Sequence, residues 1–286
     1  MACQNWAQGE TQKNSARQRE GINPSNNTAT AFMHAHVRFA RIVLGKLNRL
    51  RPSRLRFAGA YNNREVALSS IPAQKLAGYD HKQVAPICFE QMCQVALWDY
   101  PHIFWLKKLF PSSPRILDAG GHMGTKYRAF APYLQLNDSV TWTIYDLPEI
   151  VGAGRDKAEA DGLGSLKFVD DIEQLPGTDI LLASGLLQYL DIPFPIFLSK
   201  IPVLPRHLLI NKVALWERET TVTLENFGVA LVPYQIRNRE EFLASVCGLG
   251  YRTVDSWKID ALSHKIQTHV ELGPWQSEGF YMELQG

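Results

Sequence analysis

Cysteine is scarce: four in 286 residues (Cys3, Cys88, Cys93 and Cys247), with neither the paired rhythm of a metal site nor the density of a secreted disulfide framework. No stretch approaches 18 consecutive uncharged apolar residues, which excludes a membrane-spanning helix. The opening MACQNWAQGETQKN has no apolar core, so a secretory signal is not expected. A reducing cytoplasm is the expected compartment, with Cys88 and Cys93 read as buried side chains of a helical stretch. Net charge is also small: 30 Lys and Arg stand against 28 Asp and Glu. Hydrophobic residues make up 45%, enough for a sizeable core.

The near-neutral balance hides a segregation. Residues 1–56 carry ten basic residues against Glu10 and Glu20, whereas the remaining chain carries twenty against twenty-six acids. A body with that balance is not a nucleic-acid binder by charge. Residues 1–30 are rich in Asn, Gln, Ser and Thr and read as a disordered polar tail. From residue 31 to 50, Phe39, Ile42, Val43, Leu47 and Leu50 recur at helical spacing among arginines. That segment, through residue 56, suits either a helix packed on the body with a solvated basic face or peripheral contact with an anionic membrane. Residues 57–110 read as helical and aromatic-rich, so 31–110 is expected to be a basic helix and helical cover, followed by a domain over 111–286.

From residue 111 the texture becomes alternating. Strands are expected at Arg115–Ala119, Val140–Tyr145, Leu166–Val169, Asp179–Ala183, Arg206–Val213, Arg252–Lys258 and Gly279–Leu284. Helical patterns lie between them, notably Thr125–Leu134, Pro148–Ala160 and Arg239–Leu249. This predicts an α/β fold: a Rossmann-like, doubly wound, mostly parallel sheet of about seven strands. Ligands on such sheets sit beyond the carboxyl ends of the strands, so four blocks there hold the candidate residues.

The first block is ILDAGGHMGTKY, where Asp118 closes a strand and Gly120, Gly121 and Gly124 lead into a helix. Dinucleotide sites use G-x-G-x-x-G at this place. Here the spacing is G-G-x-x-G, and an acid precedes the first glycine by two residues. That acid disfavours pyrophosphate and favours a ligand carrying a positive amino group, S-adenosylmethionine (SAM) rather than NAD. Asp146 ends the second strand, where a carboxylate can accept from both ribose hydroxyls or simply cap the next helix. Asp170 and Asp171 follow the third strand, within reach of an adenine amino group. Ser184, Gln188 and Tyr189 follow the fourth.

These blocks, in this order, resemble class I SAM-dependent methyltransferases: a D-x-G-x-G turn (Asp118–Gly124), an acid after the second strand (Asp146), D-x-x-x-L-P (Asp171–Pro176) and an apolar strand entering a short helix (Asp179–Leu190). More narrowly, FAGAY, AGYD at 77–80, GGHMGTKY, WTIYDLPEIVGAG, ASGLLQYLDIP and GYRTVDSW resemble a group of methyltransferases encoded among polysaccharide-biosynthesis proteins. The likeness runs from about Phe57 to Met282. It implies SAM as cofactor, held by Asp118, Gly120, Gly121, Gly124, Asp146, Asp171 and Ser184, and a saccharide or related small-molecule acceptor. Two positions depart from the pattern. His122 stands where the middle glycine is usual, and Asn211–Lys212 where relatives carry Asp-Arg.

Methyl transfer to a hydroxyl benefits from a base beside the attacking oxygen. His122 and Tyr189 are the catalytic candidates, with Tyr127 and Gln188 lining the acceptor. His264 and His269 lack a third ligand, so no metal is expected. Two other readings compete: a non-catalytic SAM- or sugar-binding module of a polysaccharide assembly, and an NAD-dependent sugar-modifying enzyme, which Asp118 and the glycine spacing oppose.

Overall fold

A computed structural model describes residues 55–77, 89–136, 139–175 and 177–285; the basic segment 31–54 and its expected helix lie outside them. The region expected to be a helical cover begins instead with a strand, β1 (Phe57–Tyr61), then α1 (Arg64–Ser69) and a two-residue strand β2 (Leu76–Ala77). Asn63 caps α1, its side chain accepting from Val66 N. Helical structure does follow in α2 (Phe89–Met92) and α3 (Tyr100–Leu109). Of the expected helical region, residues 78–88 lie outside the described residues, and the helix that begins at Phe89 ends at Met92.

The alternating region folds as its pattern predicts, except that residues 186–190, expected as a short helix after the fourth strand, form a turn. β3 (Arg115–Ala119), α4 (Thr125–Leu134), β4 (Thr141–Tyr145), α5 (Pro148–Ala160), β5 (Lys167–Val169), β6 (Ile180–Ser184), α6 (Phe194–Ser199) and β7 (His207–Trp216) follow in order. After β8 (Thr221–Asn226) and β9 (Ala230–Asn238) come α7 (Arg239–Cys247), β10 (Tyr251–Lys258) and β11 (Gln276–Leu284). The central sheet runs β5-β4-β3-β6-β7-β11-β10, with β11 antiparallel to both its neighbours. Order reverses between β3 and β6, so a crevice opens beyond their carboxyl ends. Apolar clusters cover both faces of the sheet, as expected for strands such as β6 that are buried throughout. The α/β, doubly wound, Rossmann-like sheet is therefore present.

A second layer of strands was not expected. β8 and β9 form an antiparallel pair, β1 adds to β8, and β2 adds to β9. The far half of β7 continues into this layer, where Leu215 and Trp216 pair with Arg237 and Asn238 of β9. Phe57 of β1 anchors it, with Tyr234 and Trp275 edge-on at 5.0 and 4.9 Å.

Glu225 on β8 ties this layer to the main sheet. It is buried and accepts from Arg56 Nε at 3.0 Å, Arg56 Nη2 at 2.9 Å and the Tyr189 hydroxyl at 2.5 Å. Tyr189 belongs to the segment after β6, so one carboxylate joins three distant stretches of chain. Replacing Glu225 with Ala leaves a partly exposed guanidinium and a phenol without their acceptor. Urea unfolding should show a loss of about 2–3 kcal/mol, with Tyr189→Phe alone costing about 1 kcal/mol. Equal stability of the Ala variant and the wild type would show that the carboxylate ties nothing together.

Candidate functional site

The carboxyl ends of β3, β4 and β6 meet the middle of β7, at Asn211, at one crevice. Gly120 takes a left-handed φ of +68° and donates its N–H to Tyr145 O at 2.8 Å, which turns the chain off β3 toward α4. His122 is also left-handed, at φ 56°, unusual for a residue with a β-carbon. Its backbone N–H donates to Asp146 Oδ2 at 2.8 Å, so the acid after β4 steadies the turn after β3. Leu147 N donates to the other Asp146 oxygen at 2.8 Å. Each carboxylate oxygen has a second lone pair, and Asp146 is partly exposed, so it can still accept from a ligand.

Asp118 is 1% exposed and accepts from Trp142 Nε1 at 3.1 Å. Burial pushes its carboxyl up to about 7, against the lowering effects of that hydrogen bond and Lys126. A β-carbon at Gly121 would stand 2.7 Å from Asp118 Cγ. The second glycine thus serves the fold of the turn itself. His122 is 4% exposed, its ring stacked on Phe89 at 6.3 Å, and Gly121 to Gly124 are buried.

The ends of β4 and β5 and the loop after β6 form an acidic pole. Burial, then Asp146, Asp191, Asp171 and Asp170, all raise the Tyr145 phenol above its ordinary value. Asp171 is exposed and caps the short turn Ile172–Gln174 by accepting from Glu173 N. Pro176 of the D-x-x-x-L-P pattern lies outside the described residues.

The end of β6 and the middle of β7 form an opposite pole. Asn211 and Lys212 make a bulge in β7, because the register to β11 passes from Ile210↔Phe280 to Val213↔Glu278. Lys212 takes φ 63° there, and its Cδ lies over Gly185, beside the Gln188 amide. Asn211 Oδ1 accepts from Trp257 Nε1 at 3.1 Å, and its Nδ2 donates to Trp98 O at 2.9 Å. Asp99, next to Trp98, receives Lys126 Nζ from α4 at 2.9 and 2.8 Å, both side chains buried. Burial opposes ionisation of Asp99, but Lys126 and then Lys212 hold it below the usual carboxylate range. Burial and the Lys126 charge push the Lys212 amine down to about 7, with Asp99 opposing. Ser184 Oγ and Trp98 Nε1 are buried here without a hydrogen-bond partner among the described residues.

The expected residues therefore divide. Gly120, Gly121, Gly124, Asp146, Ser184 and Gln188 gather at the crevice. Tyr189 turns away, its ring 5.5 Å from Tyr234 and its hydroxyl on Glu225. Tyr127 stands edge-on to Trp142, with its hydroxyl 3.5 Å from Ser165 Oγ, apart from Gln188. Asp99, Lys126 and Lys212 were not candidates; only the Asn211–Lys212 departure pointed toward them. His264 lies beside the Arg56 guanidinium and His269 beside Thr268 Oγ1. Among the described residues no group of three or more metal-ligating side chains occurs, and no helix is long and apolar enough to cross a membrane.

No family model and no curated protein matches the chain. Among solved structures it is similar to the N-terminal domain of EvdMO1 with S-adenosylhomocysteine (SAH) bound, at TM-score 0.47 and 13% identity over 67% of this chain and 83% of that one. It is also similar to a 1,6-didemethyltoxoflavin-N1-methyltransferase of Burkholderia thailandensis, bound to 1,6-didemethyltoxoflavin and SAH, at TM-score 0.44 and 19% identity over 66% and 79%. A third is the O-methyltransferase NcsB1 from neocarzinostatin biosynthesis, at TM-score 0.45 and 13% identity over 71% and 59%.

The lysine environment gives a direct expectation. A raised proton affinity is absent here: Lys212 is charged below about pH 7 and neutral above it, whereas an exposed lysine stays charged to about 10.4. Trace acetylation across a pH series, read by peptide mass spectrometry, should place the Lys212 midpoint near neutrality. A Lys212 midpoint near the ~10.4 of a free lysine would contradict the burial argument.

Proposed function

We propose that the protein transfers a methyl group from SAM to a hydroxyl of a small acceptor, a saccharide or related molecule of surface-polysaccharide biosynthesis. The observation that carries this reading is the acidic pole beside the glycine turn. Asp146, Asp170, Asp171 and Asp191 surround the place where a nucleotide cofactor would lie on a doubly wound sheet. Carboxylates accept from ribose hydroxyls and an adenine amino group, and they repel a pyrophosphate. That supports an adenosyl ligand over NAD. The donor set fits: Asp146 is a partly exposed carboxylate, and Ser184 Oγ is an orphaned polar atom at the strand ends.

When bound, SAM supplies an activated methyl group on a sulfonium. The protein's own share is positioning and proton handling. Asp146 and Asp171 would hold the adenosine side, and Gly120, Gly121 and Ser184 the other end. The Trp98–Asp99 segment, fixed by Asn211 and Lys126, roofs the crevice against water. Gln188 orients the acceptor by its amide. Lys212 Nζ, neutral above about pH 7, takes the proton from the acceptor hydroxyl. This gives the lysine the role expected of His122 or Tyr189.

One observation favours a second reading, a non-catalytic module: Gly121 to Gly124 are buried and His122 is packed on Phe89. Calorimetric titration separates the transfer reading from a sugar-binding module without a SAM site, and transfer of label from methyl-labelled SAM to a saccharide acceptor separates it from a SAM-binding module. The first reading expects SAM and SAH to bind, with affinity about 10-fold or more weaker in Asp146→Ala and no binding of NAD. Failure of both adenosyl ligands to bind the wild type would overturn it in favour of the module.

A further inference from the structure

On the appended layer, Arg237 of β9 is only 7% exposed, and both its Nη1 and Nη2 are buried with no hydrogen-bond partner among the described residues. A guanidinium carries five donors and does not give up its charge near neutrality. Leaving such a group desolvated and unpaired is among the costliest arrangements a fold can hold. Arg239 on Glu278 and Arg115 on Asp179 each make the forked carboxylate contact that Arg237 lacks.

Arg237 is among the residues that line a cleft of about 480 Å³ between α1, the segment after β6, β8, β9 and α7. Gln235 shares the strand face two residues before Arg237, as the alternation of a strand requires. Gln188 lines the same cleft, and its Oε1 is likewise buried without a partner among the described residues. Arg64 adds a second positive charge, its Nη1 donating to Tyr189 O at 3.1 Å. The acids that line the cleft, Glu65, Asp191 and Glu241, are all exposed and so stand at its rim. The floor is cationic and rich in amide groups, while the mouth is acidic.

We propose that this cleft binds a small polyhydroxylated molecule through an oxyanion, a carboxylate or a phosphate, seated on the Arg237 guanidinium. The planar fork matches either oxyanion with two parallel hydrogen bonds. The amides of Gln188 and Gln235 both donate and accept, which suits hydroxyl groups around that anchor. Gln188 also lies beside Gly185 and Lys212, so the cleft adjoins the carboxyl end of β6. That this ligand is the methyl acceptor rests on the transfer reading above; the binding itself does not.

The test uses the full chain, with glucuronate, glucose 6-phosphate and inorganic phosphate as probes. Glucose and sodium chloride at matched ionic strength serve as controls. Thermal unfolding and calorimetry should show that at least one oxyanion binds and stabilises the wild type beyond the chloride control. The carboxylate and phosphate arms tell which oxyanion the site prefers. Arg237→Met should fold with an unliganded melting temperature equal to or above that of the wild type, because it removes an unpaired buried charge. It should bind the preferred probe about 10-fold or more weakly. Arg237→Lys keeps the charge without the fork and should fall between the two. The proposal is overturned if no oxyanion acts on the wild type beyond chloride, or if Arg237→Met or Arg237→Lys responds as the wild type does. SAH titration of the same preparations reports separately on the transfer reading, so either can fail alone.

Discussion

One ten-residue strand serves two sheets, and most of the molecule is arranged around that double duty. β7 pairs with β6 through its first half and with β9 at its far end. Between the halves, Asn211 and Lys212 bulge opposite β11. The bulge is held by contacts that start at a glycine: a β-carbon on Gly279 would run into the Trp257 ring, so only glycine lets the indole lie there. The indole donates to Asn211, and Asn211 donates to Trp98 O. Strand, bulge and roof are thus fixed by a single line of hydrogen bonds. The left-handed Lys212 is the strained member of that line, and such strain persists where its surroundings over-determine it.

From this follows the electrical layout of the crevice. Lysines 126 and 212 with Asp99 occupy the β6–β7 end, and four carboxylates occupy the β4–β5 end and the loop after β6. Lys126 takes Asp99 directly, and Lys212 gives way. A neutral amine beside a polar crevice is chemically useful, because it can accept a proton at neutral pH without first losing one. The glycine turn, by contrast, owes part of its composition to its own packing against Asp118 and Leu166.

Much of the main sheet was legible because its strands are short apolar runs bounded by turn residues, and its helices carry clear periodicity. Expected and observed bounds agree within two residues at β3, β4, β5 and β6, for example. The appended layer was not legible. β8 (TVTLEN) does alternate polar and apolar residues, but the alternation spans only six residues, and its polar Thr223 and Glu225 are buried where solvent would be expected. β9 contains Pro233, which argues against a strand by its missing donor. β1 is five residues long with a left-handed Gly59, and its partner strand lies some 165 residues away. At the site, Asp146 could be read from its place after a strand. Tyr189 could not, since its acceptor, Glu225, belongs to the layer that was missed. Arg237 gave no signal at all: nothing in the string QIRNRE marks an arginine that faces inward.

Hydrogen exchange with and without SAH tests the central claim most directly, because it reports where a ligand sits, residue by residue. The account predicts added protection at Gly120 to Gly124, at Asp146 and Leu147, and from Ser184 to Gln188, with β8 and β9 unchanged. Unchanged exchange at the glycine turn, or protection confined to the appended layer, would contradict it.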